Sequence, residues 1–459
     1  MNMKFKPHNY QKKAIKFMLQ NSAAGLFLEP GLGKTVSVLS ALDILRDQGI
    51  VKKTLVVSTI RIIYSVWPKE IKKWSFDFST SIVHGDHKLK ALKADADIYL
   101  INYDGLLWLQ NQPKKLLEKF DVLVLDESSK VKNFKTLRFK AVKKLLNYFD
   151  RRYILTGTPT PKSLMDLFSQ IYVLDQGEAL GRYITAYRNE FFYPYGFKGY
   201  QYALQDGADK KIYKKIKPLV VRFDESFLNL PKKTDNFIEI ELPDDVMSRY
   251  REMEEEFVME LKEGHVLAST AAVKTQKLRQ IVNGHIKDNY GDTHFIHEAK
   301  IEALSDLIEE LQGSPLLVGY EFKADLKMLM DAFPYITVGG QRIKSRYVGG
   351  GVKPKDALKI EDEWNAGKLP LLFGQISSVA HGLNLQDAGH HAAFYSLTWN
   401  LEDYLQLIKR IWRQGQKKQV IIHHLMVKDS VDYDIKAVLE EKNMTQTALL
   451  NALKTRLRK

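Results

Sequence analysis

Leu28-Glu29-Pro30-Gly31-Leu32-Gly33-Lys34-Thr35 decides how the rest of the chain is read. An apolar run, Ala24-Gly25-Leu26-Phe27-Leu28, leads into it with the character of a buried strand, and a helical pattern from Val36 to Arg46 leads out. The turn between them, Pro30-Gly31-Leu32-Gly33, has the make-up of a phosphate cradle. Gly31 and Gly33 let the backbone come close enough for its N–H groups to face phosphate oxygens, and the emerging helix adds its positive end. In such a cradle Lys34 reaches the β- and γ-phosphates of ATP and Thr35 holds Mg²⁺. The plain alternative is a strand–turn–helix connection that binds nothing. A strand before and a helix after are the context the phosphate reading requires.

The chain has 459 residues, enough for roughly two to four domains, each with a real core. Apolar residues make up 45% and charged residues 27%, as in ordinary globular chains. The formal charge of +14 favours a polyanionic partner, most simply nucleic acid. There is no cysteine, which excludes disulfide partners and thiolate metal sites. The N-terminal residues lack the apolar centre of a signal peptide, and no apolar run approaches the ~18 residues of a membrane span. No membrane association and a cytoplasmic location, bacterial or in a phage-infected host, are therefore expected.

The first third alternates short apolar runs with helical stretches. Thr54–Ser58, Ala96–Ile101, Val122–Leu125 and Tyr153–Thr156 read as buried parallel strands of a doubly wound α/β domain. From Gln176 the pattern breaks into aromatics, glycines and basic residues, followed by charge-rich helix. A second α/β pattern then begins, with strand candidates Leu316–Gly319, Tyr335–Val338, Leu369–Phe373, Ala392–Tyr395 and Val420–His424. The expected organisation is a first lobe over 1–175, an accessory insertion and helical connector over 176–290, and a second lobe over 291–459.

Three constellations carry chemistry. Val122-Leu123-Val124-Leu125-Asp126-Glu127 is an apolar strand ending in two carboxylates. Beside a phosphate cradle, Asp126 can hold Mg²⁺ and Glu127 can activate the attacking water. Thr156-Gly157-Thr158-Pro159 ends another strand, and its hydroxyls can sense the γ-phosphate or link the Asp126–Glu127 turn to the second half. Gln406 through Gln416 carries Arg410 and Arg413 at i, i+3, on one helix face. Two guanidiniums so spaced can clamp a γ-phosphate from across a cleft.

Together these segments resemble a superfamily 2 helicase of the Snf2-like branch, over nearly the whole chain from Pro7 to beyond Val427. Gly31–Thr35 is similar to its motif I in the short Gly-x-Gly-Lys-Thr form, since Leu28 stands where the longer pattern has glycine. Tyr10-Gln11 resembles the adenine-reading Q motif. Val56–Trp67, with Ser58, Thr59 and Arg61, resembles motif Ia, and Asn102-Tyr103-Asp104 motif Ib. Asp126–Glu127 followed by Lys132-Asn133 resembles motif II. Thr156–Pro159 resembles motif III, Ser377 through Gly382-Leu383-Asn384-Leu385 with Trp399-Asn400 motif V, and Gln406–Gln416 motif VI. There are two departures. Ser128-Ser129 replaces Ala-His, so the histidine link between motifs II and III is missing. Ala380-His381-Gly382 stands where Ala-Gly-Gly is usual.

The resemblance implies two RecA-like P-loop lobes, parallel sheets flanked by helices, with Mg-ATP between them and DNA across both. Tyr10, Gln11 and Gly382 would join the cradle in binding ATP. Thr156, Thr158 and Gln406 would couple hydrolysis to motion. Ser58, Thr59, Arg61, Asn102, Tyr103, Lys132, Asn133, Ser377 and Trp399 would meet DNA. The expected activity is an ATP-dependent DNA helicase or translocase acting on single-stranded, forked or branched DNA. The alternatives are a duplex translocase without net unwinding and an ATPase remodelling protein–DNA complexes. Phe191–Tyr202 reads as an accessory hairpin whose Tyr195 and Phe197 could stack on DNA at a junction; a self-packed aromatic mini-core is the competing reading.

Overall fold

A computed structural model describes residues 5–29, 31–160, 163–195, 201–223, 230–262, 268–288, 290–379 and 383–452. The chain divides into two units, Met1–Asn229 with Lys442–Lys459, and Leu230–Glu441. Residues 176–290, expected to form a separate insertion and connector, are shared between these units. The physical reason is strand pairing. Val220–Phe223 completes the first sheet and Lys233–Ile240 the second, so the division falls between them.

The strands of the first unit are β1 (Ala23–Leu28), β2 (Thr54–Ser58), β3 (Thr80–Val83), β4 (Ile98–Asn102), β5 (Val122–Asp126), β6 (Arg151–Thr156), β7 (Phe192–Tyr195), β8 (Gln201–Leu204) and β9 (Val220–Phe223). All except β7 and β8 form one parallel seven-stranded sheet in the order β3-β4-β2-β5-β6-β1-β9. Alternate residues feed two cores. Leu55 and Val57 pack on one face, and Val56 on the other. With both faces covered by helices, continuous apolar runs such as Val122–Leu125 are what a central parallel strand requires. Strands β3 and β9 escape a reading by apolar runs because each has only four residues, two of them polar in β3 and one charged in β9.

Register brings three turns to the same sheet end. Phe27 of β1 pairs with Thr156 of β6, and Asp126 of β5 pairs with Leu155. The cradle after β1, the carboxylates ending β5 and the turn after β6 are therefore neighbours, at the carboxyl edge where α/β sheets bind ligands.

The second unit contains β10 (Lys233–Ile240), β11 (His285–Lys287), β12 (Thr293–Phe295), β13 (Leu316–Tyr320), β14 (Tyr335–Val338), β15 (Gln341–Lys344), β16 (Arg346–Val348), β17 (Leu371–Gln375), β18 (His391–Phe394) and β19 (Val420–Val427). Six of them form a parallel sheet in the order β10-β19-β18-β13-β17-β16 over one continuous core. Tyr335–Val338 is a strand, but it stands outside this sheet. It pairs antiparallel with β15 across Gly339-Gly340, both at positive φ, a two-residue turn that only glycine-type residues enter readily.

A chain of imidazoles crosses strands β10, β19 and β18. The Asn236 amide faces His423 Nδ1 (3.0 Å), and His423 Nε2 meets His391 Nδ1 (3.1 Å). With Asn236 donating, His423 is neutral, carries its proton on Nε2 and donates to His391. His424 Nε2 pairs with the Tyr404 hydroxyl at 3.0 Å. Burial pushes His391, His423 and His424 from the usual 6.5 down to about 4, helped for His391 by its neighbours His390, His423 and Lys418. The unfolded chain takes up these protons first as pH falls. Stability should therefore be flat above about pH 6.5 and decline steadily towards pH 4. Thermal melts across that range should show this slope, and His423→Gln should reduce it.

Candidate active site

The cradle is built by backbone conformation. Gly31 has φ +92° and Gly33 φ +71°, and Gly33 sits immediately before the helix Lys34–Asp47 without any side-chain cap on that helix. The first N–H groups of the helix thus keep their capacity for an outside anion. A Cβ on Gly33 would lie 2.5 Å from Gln11 Nε2. Gln11 is itself fixed at both ends of its amide, accepting from His8 N (2.8 Å) and donating to the Leu32 carbonyl (3.3 Å). So the residue expected to read adenine also supports the phosphate turn. Tyr10 is buried, stacked with His8 and packed near Phe223 as part of the core wall. Pro30 lies outside the described residues.

Lys34 Nζ donates to the Leu28 carbonyl at 2.9 Å, and Thr35 is half-buried at the start of the same helix. Asp126 is buried at the end of β5. Burial raises its carboxyl above the usual range, opposed by the hydrogen bond from Trp67 and the charge of Lys34. The Trp67 indole donates to Asp126 Oδ2 at 3.0 Å. Glu127, also buried, is held at φ +58°, a left-handed conformation that is uncommon and costly for glutamate. Such strain persists where the surroundings impose it and is concentrated at functional positions. Here the surroundings include Tyr103, whose hydroxyl donates to the Asp126 carbonyl (2.8 Å) with the Glu127 carbonyl at 3.2 Å. A glycine pair at positive φ, an uncapped helix start, a lysine and a buried carboxylate form a donor set that fits a metal–nucleotide phosphate group.

After β6, Thr158 N is held by Thr156 Oγ1 at 3.0 Å. The hydroxyls of Thr158 and Thr160 are buried without a hydrogen-bond partner among the described residues.

In the second unit, the helix Leu401–Ile411 is started by Asn400, whose side chain accepts from Glu402 N. Arg410 is buried, and all three guanidinium nitrogens donate within this unit, to the carbonyls of Gln406 (3.0 Å) and Leu383 (2.8 Å) and to Gln406 Oε1 (2.6 Å). Gln416 Nε2 meets the Gly389 carbonyl at 2.8 Å. The segment 406–416 thus latches the loop 383–389. Arg413 lies two residues past the end of this helix, so the face it was expected to share with Arg410 is not formed; it is half-buried and hydrogen-bonds the side chain of Asn384 on that loop. Gly382 lies outside the described residues.

Of the positions expected to meet DNA, Asn133, Ser377 and Tyr195 are exposed, and Thr59, Arg61, Lys132 and Trp399 are half-buried. Ser58, Asn102 and Tyr103 are buried instead, because they lie at or just past the ends of central parallel strands; Tyr103 braces the catalytic turn from below. The aromatic stretch divides in two. Phe191 and Phe192 pack with Tyr187 at 5.3 Å each and belong to the core, whereas Tyr193 and Tyr195 are exposed on β7, which pairs antiparallel with β8. Phe197 lies outside the described residues. Trp67 closes the stretch likened to motif Ia, but nothing in that likeness pointed to its bond with Asp126. Its only sequence signal was an aromatic on the apolar face of the helix Ile60–Lys73.

Residues 10–287 match the SNF2-related domain, and residues 299–415 the helicase conserved C-terminal domain. The chain belongs to the SNF2-related family. It is a superfamily 2 motor domain of the ATP-hydrolysing type, with two RecA-like lobes. A relative in Acyrthosiphon pisum secondary endosymbiont phage 1, putative protein p41, is 34% identical over 98% of this chain and 99% of its own length. The chromatin-remodeling ATPase ISW1 of Saccharomyces cerevisiae is 22% identical over 98% of this chain and 41% of its own. The DNA repair and recombination protein RAD54B of Homo sapiens is 24% identical, over 94% and 53%. This SNF2-related chain therefore spans about half the length of those larger relatives. Among solved structures, the Sulfolobus solfataricus SWI2/SNF2 ATPase core in complex with dsDNA is similar with a TM-score of 0.45 and 21% identity, covering 98% of this chain and 94% of that one. Among the described residues, no helix is long and apolar enough to cross a membrane.

Trp67→Phe keeps the ring but removes the donor to Asp126. Groups that orient a metal ligand are worth about 10- to 100-fold in activity or metal affinity. ATP turnover titrated with Mg²⁺ should show that loss, and a variant with wild-type turnover at all Mg²⁺ levels would make Trp67 a packing residue only.

Proposed function

We propose that the chain is an ATP-driven translocase that moves along duplex DNA and remodels protein–DNA complexes. The observation that carries this reading is the convergence of the cradle, the strained Glu127 and the Thr156–Pro159 turn at one edge of one sheet. Family membership supplies the motor class. The names of the larger relatives, for chromatin remodelling and for repair and recombination, favour translocation and remodelling over the strand separation that the sequence alone put first. Their activities belong to proteins about twice as long.

ATP supplies the phosphoanhydride whose cleavage drives motion, and Mg²⁺ the positive charge that offsets its phosphates. Lys34 exchanges the Leu28 carbonyl for phosphate oxygens. Thr35 and Asp126 hold the metal, Gln11 reads the base, and Glu127 orients the water and accepts its proton at a carboxylate oxygen. In the second unit Arg413 offers the guanidinium that offsets charge developing in the transition state, while Arg410 keeps the 383–389 loop in place through its three hydrogen bonds. Fork or branched-junction remodelling is the second reading, favoured by the exposed Tyr193 and Tyr195 on the β7–β8 hairpin.

Displacement of a third strand from a triplex separates the readings. A duplex translocase should displace it in an ATP-dependent way and leave a simple forked duplex unseparated; efficient fork separation without triplex displacement would reverse the assignment. Lys34→Ala should abolish turnover and leave DNA binding largely intact. Arg413→Ala should lower kcat strongly, by about 10³ where a guanidinium acts on the transition state, with little change in ATP affinity. A fall in ATP affinity without a fall in kcat would make Arg413 a ground-state contact. DNA affinity should drop by about 10³ or more between roughly 50 and 200 mM salt if several phosphates are neutralised. A flat salt response would remove phosphate tracking from the reading.

A further inference from the structure

A fully buried amide joins the turn after β5 to the turn after β6. Ser128 Oγ donates to Gln170 Oε1 at 2.8 Å, and Gln170 Nε2 donates to the carbonyls of Pro159 (2.7 Å) and Asp166 (2.9 Å). The orientation is dictated by chemistry. Two carbonyl oxygens can only accept, so the amide nitrogen must face them. The amide oxygen then faces Ser128, whose hydroxyl must donate. Gln170 sits on the helix Leu167–Asp175 among Leu167, Ile171, Val173 and Leu174, all buried and apolar. A buried amide in such a setting is tolerated only with its bonds made.

The position of this tie matters more than its presence. Ser128 directly follows Glu127, which is held at φ +58°. Pro159 directly follows Thr158, whose hydroxyl is buried and unbonded among the described residues. Ser129 stands where the Snf2-like pattern has the histidine that links these same two turns. Tyr103 braces the carbonyls of Asp126 and Glu127 from another side. The Ser128–Gln170–Pro159 connection spans both turns.

We infer that Ser128 and Gln170 are positioning residues that couple the turn bearing Glu127 to the turn bearing Thr158, so that a displacement of either is delivered to the other during turnover. The inference rests on the ATP-driven DNA motor proposed above. It adds a link between a serine that stands where the family pattern has alanine and a glutamine outside every motif.

The test measures ATP turnover with and without duplex DNA, and the melting temperature, for the wild type, Ser128→Ala, Gln170→Leu and the double variant. DNA-stimulated kcat should fall at least about tenfold in each single variant, the scale expected when a supporting group is lost, while KM for ATP stays within about twofold. The double variant should be no worse than the poorer single one, because all three remove the same link. A lower melting temperature with unchanged kcat would overturn the coupling and leave a structural tie. So would losses that multiply in the double variant. Should Gln170→Leu fail to fold, Ser128→Ala removes a single oxygen and decides alone: a kcat loss at constant KM supports the link, and wild-type kcat overturns it. A wild type whose turnover DNA does not raise would overturn the motor reading and this inference with it; a DNA-stimulated wild type beside unaffected variants overturns the inference alone.

Discussion

A carboxylate held out of water at the end of a parallel strand is the constraint on which the first unit depends. Asp126 is placed there by β5, whose other residues are all apolar and buried. Burial favours the protonated acid, and an acid cannot hold a metal as a carboxylate does. The indole of Trp67 and the charge of Lys34 work against that penalty. Each of these groups comes from a different turn or helix at the same sheet edge. The sheet order, with β5 flanked by β2 and β6 and β1 next to β6, is what assembles them. A change of strand order would leave every motif intact in sequence and separate the groups in space.

The second unit handles its charge differently. Arg410 and Arg413 are spaced as if to share a helix face, but the helix ends at Ile411 and their surroundings differ. Arg410 is buried with every nitrogen bonded to its own unit. Were these three bonds broken, the Leu383 carbonyl and the Gln406 amide would be left without this donor. Arg410 therefore acts as an internal strut, and the hydrogen bond between Arg413 and Asn384 sits on the loop that strut holds. Gln416 repeats the device with an amide, drawing in the Gly389 carbonyl. Buried polar side chains that bond backbone carbonyls are how this unit shapes a loop that has no regular structure of its own.

The stretch after the sixth strand of the first sheet shows how one run of aromatics can serve two ends. Phe191, ending a helix, and Phe192, opening β7, complete a core with Tyr187, while Tyr193 and Tyr195 of β7 are exposed. Arg188 lies over the ring of Tyr202 at 4.3 Å, so a cation sits beside this aromatic surface. The inner rings anchor the stretch in the core of the first unit.

The sequence by itself marked the long apolar strands and the motifs suited to nucleotide chemistry. Val122–Leu125 reads as a central strand, and Gly31 and Gly33 before Lys34 suit a turn with positive φ, because these are local matters of burial period and backbone sterics. It determined the family for the same reason, since ordered short motifs are local. Tertiary structure alone decided which residues support the chemistry. Tyr103 and Trp67 are 23 and 59 residues from Asp126, and Gln170 is 42 from Ser128. No periodicity links such positions; only the pairing of β2, β4, β5 and β6 brings them together. It also decided where the units divide, because short or polar strands such as β9 and β10 earn their place by hydrogen-bonding to a neighbour already formed, and that partner is invisible along the chain.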